Sequence, residues 1–425
     1  MSPPPGPDGL LLTVGPRLLT LGHMKLDGMT LLEGPRSRRM VLEYILACEE
    51  RHVRDNGETA QALWGMVRQA ADHLVPVPEA RTYAFWSSAT PDSPSRIYEA
   101  PASPPDPDSR ITPERVAEQI RRTTLLPPDP ALLLAALTAS VESAAYWRHP
   151  VGQDVLANVS SVREALKKAA RLIAESSDTR WWSTPADLAD QWFVYWGNSS
   201  EPAPSTRRRG LSDCDFLEKL TSWRIDQKRM EEKYRRSATE SPLSGSGGAW
   251  WTTPPAPAIP STRIFPGTDM PAGVPLQEDR FGDMAHAFSY TPPPNPRIYE
   301  INEPADWVRL CDEFPLDQTY TLRREWFRVT GRDGRWIVPD WSAVAEKWEA
   351  VHLTVAGYLR TATRAVPVGA PPDGNLSPAP AETMMAGWSP DETWWFRERE
   401  AGPFTGGARR WTDHGAGELA PDVGE

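Results

Sequence analysis

Apolar positions return at helical spacing through much of the first half of the chain. Met40, Leu42, Ile45 and Leu46 make one stripe of a helix expected over residues 37–54, and a second helix is expected over 58–73. "ITPERVAEQIRRTT" starts with Thr112 as N-cap and Pro113 in the first turn, where a missing amide hydrogen costs nothing. "DPALLLAALTASVESAAYW" is apolar on most faces and predicts a buried helix. In "SSVREALKKAARLIAES", Ser161 and Glu164 stand at capping-box spacing ahead of a one-sided stripe through Val162, Leu166, Ala169 and Ile173. A long helix is expected over 212–236.

Shorter apolar runs bounded by turn residues predict strands. At the start these are "LLLTVG", "LLTLGHMKL" and "MTLLEG", separated by Gly-Pro and Asp-Gly. "RTYAFWSSATPDSPSRIYEA" reads as two strands around a Pro/Ser/Asp turn. "RWWSTP" and "QWFVYW" read as an aromatic hairpin, and "AWWTTP", "STRIFPG" and "MAHAFSYTPPPNPRIYEI" as further strands. Strand and helix then alternate: "RIYEI", a helix through "EPADWVRLCDEF", and "EWFRVT" with "RWIVPD" as a hairpin about Gly331–Gly334. Asp340 is placed to cap a short helix to Trp348. "AVHLTV" is a strand, "GYLRTATRAV" a helix, and "TMMAGW" and "TWWFRE" the closing strands.

The reading is an α+β protein with two lobes of antiparallel, aromatic-rich sheet packed with helices. "SATESPLSGSGG" has too little apolar surface to hold itself in place, so the main boundary is set there. The divisions are an N-terminal lobe over 1–205, a long helix and linker over 206–248, a C-terminal lobe over 249–400 and a mobile Gly-rich tail over 401–425. Two words nearly repeat, "WWSTP" from Trp181 and "WWTTP" from Trp250, with "FWSSATP" as a cousin. As a strand, such a word sends one indole to each face and ends its ladder at proline. The outward rings would then border a groove; the alternative is that helices cover both.

Composition sharpens this picture. Nineteen tryptophans in 425 residues, each able to bury about 150–250 Å², imply thick aromatic packing, a recognition surface, or both. A formal charge of -11 without a long basic stripe disfavours duplex nucleic acid. Three scattered cysteines make a poor disulfide framework and fit a reducing cytoplasm. The leucine-rich start is broken by Pro16, Arg17, Lys25 and Asp27, and no apolar run is long enough for a membrane span.

Histidine and cysteine spacings match no metal motif, and neither GxxxxGKS/T nor GxGxxG occurs. "STRRRG" (Arg207, Arg208, Arg209) offers a docking point for an anion or an acidic partner, or is a solvated loop. In "WEAVHLTVAGYL", Glu349 and His352 resemble the Asp-x-x-His block of the SGNH/GDSL hydrolases, which implies a base and its orienter. Glu349 stands for the aspartate, and the early Gly-Asp-Ser block is absent; "YWGNSS" around Ser199 is a poor substitute. Arg297 in "RIYEI", the Ser/Thr-bearing aromatic strands and later glutamates such as Glu398 loosely resemble ADP-ribosyltransferases, which implies NAD as substrate.

"RIYEINEPADW", "GRWIVPDWSAVAEKWEAVHLTVAGYL" and "MMAGWSPDETWWF", with "LTASVESAAYW" and "RWWSTP", are similar to a family of uncharacterised tryptophan-rich proteins of high-GC actinobacteria. That resemblance covers the chain from about residue 125 and implies a bacterial cytoplasmic protein, with no activity attached. The expected function is recognition of a small molecule or protein through a Trp-lined cleft, without a membrane or duplex nucleic acid as partner. Candidate ligand-binding residues are Arg297, Trp341, Trp388, Trp181 and Trp250, and candidate catalytic residues are His352 and Glu349. The alternatives are ADP-ribosyl transfer and an esterase using His352.

Overall fold

The computed structural model describes residues 26–56, 62–74, 111–146, 148–199, 212–243, 248–369, 381–397, 404–413 and 419–421. Among the described residues, six α-helices form its N-terminal part: α1 (Pro35–Asp55), α2 (Ala62–Asp72), α3 (Pro113–Arg122), α4 (Pro130–Glu142), α5 (Gly152–Asn158) and α6 (Ser160–Glu175). Thr112 caps α3 by accepting from Arg115 N, and Asp129 caps α4 by accepting from Leu132 N, each followed by proline in the first turn. The apolar stripe of α1 packs against α4, α5 and α6, and Gly34 lets its start lie against the Leu359 carbonyl, 2.1 Å from where a Cβ would sit.

The remaining elements are β1 (Trp192–Gly197), α7 (Asp213–Arg236), β2 (Ile259–Ser261), β3 (Met284–Tyr290), β4 (Ile298–Ile301), α8 (Pro304–Glu313), β5 (Pro315–Asp317) and α9 (Thr319–Thr330). They continue as β6 (Ile337–Pro339), α10 (Trp341–Lys347), β7 (Ala350–Leu353), α11 (Val355–Thr361), β8 (Val366–Pro367), β9 (Glu382–Thr383), β10 (Glu392–Trp395), β11 (Phe404–Asp413) and β12 (Leu419–Pro421). One antiparallel sheet has the order β1-β3-β11-β12; a second has the order β2-β10-β7-β4, with β4 and β7 parallel and the rest antiparallel. Parallel strands need a crossover, which here runs through α8, α9 and α10. The protein is α+β. Its largest core runs from Leu31 to Phe396, and β1 pairs with β3, so packing and strand pairing both cross the linker near residue 245.

Several local expectations give way to tertiary context. "MTLLEG" is a 3-10 turn (Thr30–Leu32) that buries Leu31 and Leu32, while the two preceding apolar runs and "RTYAFWSSATPDSPSRIYEA" lie outside the described residues. "RWWS" belongs to a 3-10 helix (Ser177–Ser183), so β1 pairs with β3 rather than with it. Helix α6 begins one residue before the expected cap, after Val159, and Ser161 instead donates to Glu114 at 3.4 Å. "EWFRVT" ends α9, which stops at Gly331 in the left-handed region (φ 70°), and β6 pairs with β5. "AWWTTP" has no strand. The tail expected to be mobile supplies β11, the neighbour of β3, and β12. No helix among the described residues is long and apolar enough to cross a membrane.

Candidate functional site

Strand β10 presents Glu392 and Trp394 on one face and Thr393 and Trp395 on the other because successive side chains alternate, and Asp391 stands immediately before it. On one face Ser261, Thr393, His352 and Glu300 lie in register across β2, β10, β7 and β4. His352 is fully buried; its Nδ1 donates to Glu300 Oε2 at 2.5 Å and its Nε2 to Asp391 Oδ1 at 3.4 Å. Asp391, 2% exposed, also accepts from Arg263 Nε at 2.9 Å. Arg263 is held in turn by Thr184 Oγ1 and the Pro185 carbonyl, and lies 5.6 Å over the Trp181 ring. Burial disfavours the imidazolium, but the Glu300 charge and the two carboxylate hydrogen bonds outweigh it and raise His352 to about 9. Burial pushes Asp391 up, yet the His352 hydrogen bond and the Arg263 charge hold it below the usual carboxylate range. Charge therefore alternates along Glu300, His352, Asp391 and Arg263.

This line excludes the expected base and orienter pair. Glu349 accepts from the Arg297 amide at 2.8 Å and lies 4.0 Å from its guanidinium, while the hydrogen-bond partners of His352 are Glu300 and Asp391. With His352 raised to about 9, both ring nitrogens carry protons near neutral pH and both face carboxylates, which leaves no lone pair to accept a further proton. Ser199, the weak nucleophile candidate, is bound to Asp283.

The other face of β10 opens on a cleft of about 230 Å³, bounded by Trp192, Val194, Pro260, Gln277, Glu278, Gly387, Glu392 and Trp394, among others. Glu278 is 6% exposed; its Oε1 accepts from Tyr146 (2.8 Å) and Tyr358 (2.6 Å), and its Oε2 from the Gly387 amide (2.8 Å). Glu392 is 9% exposed; its Oε2 accepts from the Ser389 amide (3.2 Å) and Trp394 Nε1 (2.8 Å). Burial pushes both carboxyls up to about 7, and the Glu278 charge adds to the rise at Glu392. Gly387 holds φ 81°, and a Cβ there would meet Trp251 Cβ at 3.0 Å, so glycine is needed where the chain passes between the two acids.

A larger trough of about 700 Å³ runs along α7, but its walls are Ile225, Lys228, Arg229, Glu232, Lys233, Arg236 and Ser237 of a single helix end, all at least partly exposed. Nothing there takes a polar group away from water. The smaller cleft does, and is the better candidate.

The sequence-derived ligand residues fare unevenly. Trp341 and Trp388 are sealed in the core, 1% and 0% exposed, and do not reach the cleft. They are two of seven described indoles less than 2% exposed, so packing accounts for much of the tryptophan surplus. Trp181 is half-buried against Phe265 and Arg263, with Trp182 beside it in the core. Trp250 stacks on Tyr146 at 5.4 Å, and Trp251 is 53% exposed. The two similar words thus differ at the second indole, sealed at Trp182 and open at Trp251, while both first indoles are half-buried. In the second, Thr252 exchanges hydrogen bonds with Ala386, and the Thr252 and Trp250 carbonyls accept the indole N–H groups of Trp341 and Trp326. Arg207, Arg208, Arg209 and Glu398 lie outside the described residues. Trp192, Trp394, Glu278 and Glu392 were not singled out from sequence; the available signal was "SPDETWW", which spaces Glu392 and Trp394 two apart and so puts them on one face of a strand. No group of acids, histidines and cysteines suited to a metal ion occurs among the described residues. No family model, curated protein or solved structure matches the chain.

Proposed function

We propose that this protein recognises a small polar molecule in the cleft between Trp192 and Trp394. The observation that carries this reading is a pair of carboxylates, each more than nine-tenths buried, at the wall of an aromatic cleft. Keeping such groups out of water costs stability unless something else requires them. The two indoles supply flat apolar faces, and the acids, Gln277 and Thr253 supply orientation, which is the usual division of labour in a small-molecule site. Hydrolysis through His352 and ADP-ribosyl transfer through Arg297 are weaker readings. The first has an engaged histidine, and the second an exposed arginine that is not part of the cleft wall.

Ligand-observed NMR with a library of small polar molecules tests the proposal. Compounds that bind the native chain should lose about tenfold in affinity in Trp394→Ala and in Trp192→Ala. A set of ligands retained unchanged by both variants would refute the cleft as the site.

A further inference from the structure

Resting on that reading, we infer that the cleft takes a small organic cation carrying a single ammonium or related group, seated against Glu392 and Glu278 and flanked by the Trp192 and Trp394 rings. Four observations lead there.

The first is the absence of a counter-ion. Neither carboxylate forms an ion pair with a described residue, although Asp391, next in the chain to Glu392, has both Arg263 and His352. Arg36 lowers Glu278 only at a distance, its own hydrogen bonds going to Thr363, Ser140, Ser143 and Asp154.

The second is an open valence. The hydrogen bonds to Glu392 all fall on Oε2, so Oε1 accepts nothing from the described residues while its side chain lines the cleft. The Gln277 carboxamide and Thr253 hydroxyl on the same wall likewise have no side-chain partner among the described residues. A ligand with several N–H donors meets all three.

The third is spacing. The amides that hold the acids belong to Gly387 and Ser389, two residues apart and hence within about 7 Å, and both acids line the one cleft, where the Glu278 charge acts on Glu392. The fourth is charge and ring chemistry. Burial raises both acids to about 7 and the Glu278 charge adds to the rise at Glu392, so a cation seated against them would favour their ionised forms. Indole faces attract cations, as Arg409 over Trp192 at 5.2 Å already illustrates on this chain. A neutral polyol would use the indoles and the acceptors but would leave the charge uncompensated.

Isothermal titration calorimetry of the full chain with cyclohexylammonium chloride, cyclohexanol and myo-inositol distinguishes these cases. The ammonium salt should bind saturably, at least about tenfold tighter than cyclohexanol, and more tightly at pH 8 than at pH 6 as the acids ionise. Glu392→Gln should bring its affinity down to that of the alcohol, with Glu278→Gln as an independent second variant. Equal or tighter binding of either neutral compound, or unchanged ammonium affinity in both variants, overturns the cation assignment. If that happens and Trp394→Ala abolishes the neutral ligand's heat, the cleft stands and only its ligand class changes. Absence of any heat sensitive to Trp394→Ala for all three compounds defeats both.

Discussion

Asp391 and Glu392 are consecutive carboxylates, 2% and 9% exposed, whose surroundings drive them in opposite directions. Asp391 faces Arg263 and His352 and is held ionised; Glu392 faces a cleft with hydrogen bonds but no cation, and its pKa rises to about 7. Asp391 stands just before β10 in the left-handed region (φ 62°) and Glu392 opens the strand, so these neighbours project into different surroundings. A buried acid with its counter-charges in place ties elements together: here the 3-10 helix end, β2, β7 and β4 meet through one alternating line. A buried acid without them costs stability, and the cost is explicable where the acid meets a ligand.

Asp391→Asn attacks the compensated side and has the largest expected effect. It leaves the Arg263 guanidinium and the His352 imidazolium buried without their shared anion, at a cost of about 3–5 kcal/mol. Urea unfolding at pH 7 measures it. A loss below about 1 kcal/mol would mean the line is not a structural tie.

Glu392→Gln tests the uncompensated side, and its sign is opposite. An acid whose folded pKa is raised from 4.5 to about 7 supports the fold fully below about pH 4.5, and that support is lost as pH rises through 7. The neutral variant escapes the loss. At pH 8 it should be more stable than the native chain by at most about 3 kcal/mol, with the gain vanishing near pH 4.5. Equal pH–stability curves for the two proteins would show that Glu392 is compensated after all.

His352→Gln addresses the compensated line by titration. Its folded pKa is raised from 6.5 to about 9, so the histidine's contribution is complete below about pH 6.5 and disappears as pH rises through 9. Thermal unfolding should show the native chain losing about 2 kcal/mol more than the variant between pH 6 and pH 10, a figure reduced because Glu300 is 25% exposed and partly screened. A native curve parallel to the variant's over this range would place a neutral histidine in the line.

The same contrast explains what could be read from the sequence. Helices with strong local signals came through: Thr112, Asp340 and Ser212 cap helices because their side-chain oxygens reach amides two or three residues on. The aromatic words did not, since tryptophan satisfies a strand, a 3-10 helix or an irregular segment equally well and packing decides among them. His352 stood out as the chemically suggestive residue of "WEAVHLTVAGYL", and it does sit in a charged constellation. Its partners come from β4 and from the turn residue just before β10, 52 and 39 residues away, so no local motif could supply them. Glu278 lies on an irregular segment between β2 and β3, where periodicity carries no information. Only the fold brings it to Gly387, Tyr146 and Tyr358.

The smallest expected effect is the most direct probe of that local motif. Glu349 stands three residues before His352, the position of the orienting acid in the Asp-x-x-His block. Here its carboxylate is spent on the Arg297 amide and on a guanidinium that is 59% exposed, an arrangement typical of a marginal surface pair. Glu349→Gln keeps an acceptor for the amide and removes only the charge. Stability should move by no more than about 0.5 kcal/mol, and the His352 titration, followed by NMR of its ring protons, should stay near 9. Glu300→Gln supplies the contrast, because it removes the charge that most favours the imidazolium and should pull the same titration downward. If instead Glu349→Gln moved it and Glu300→Gln did not, the sequence-adjacent acid would be the true partner, and the division between a compensated structural line and an uncompensated cleft would have to be redrawn.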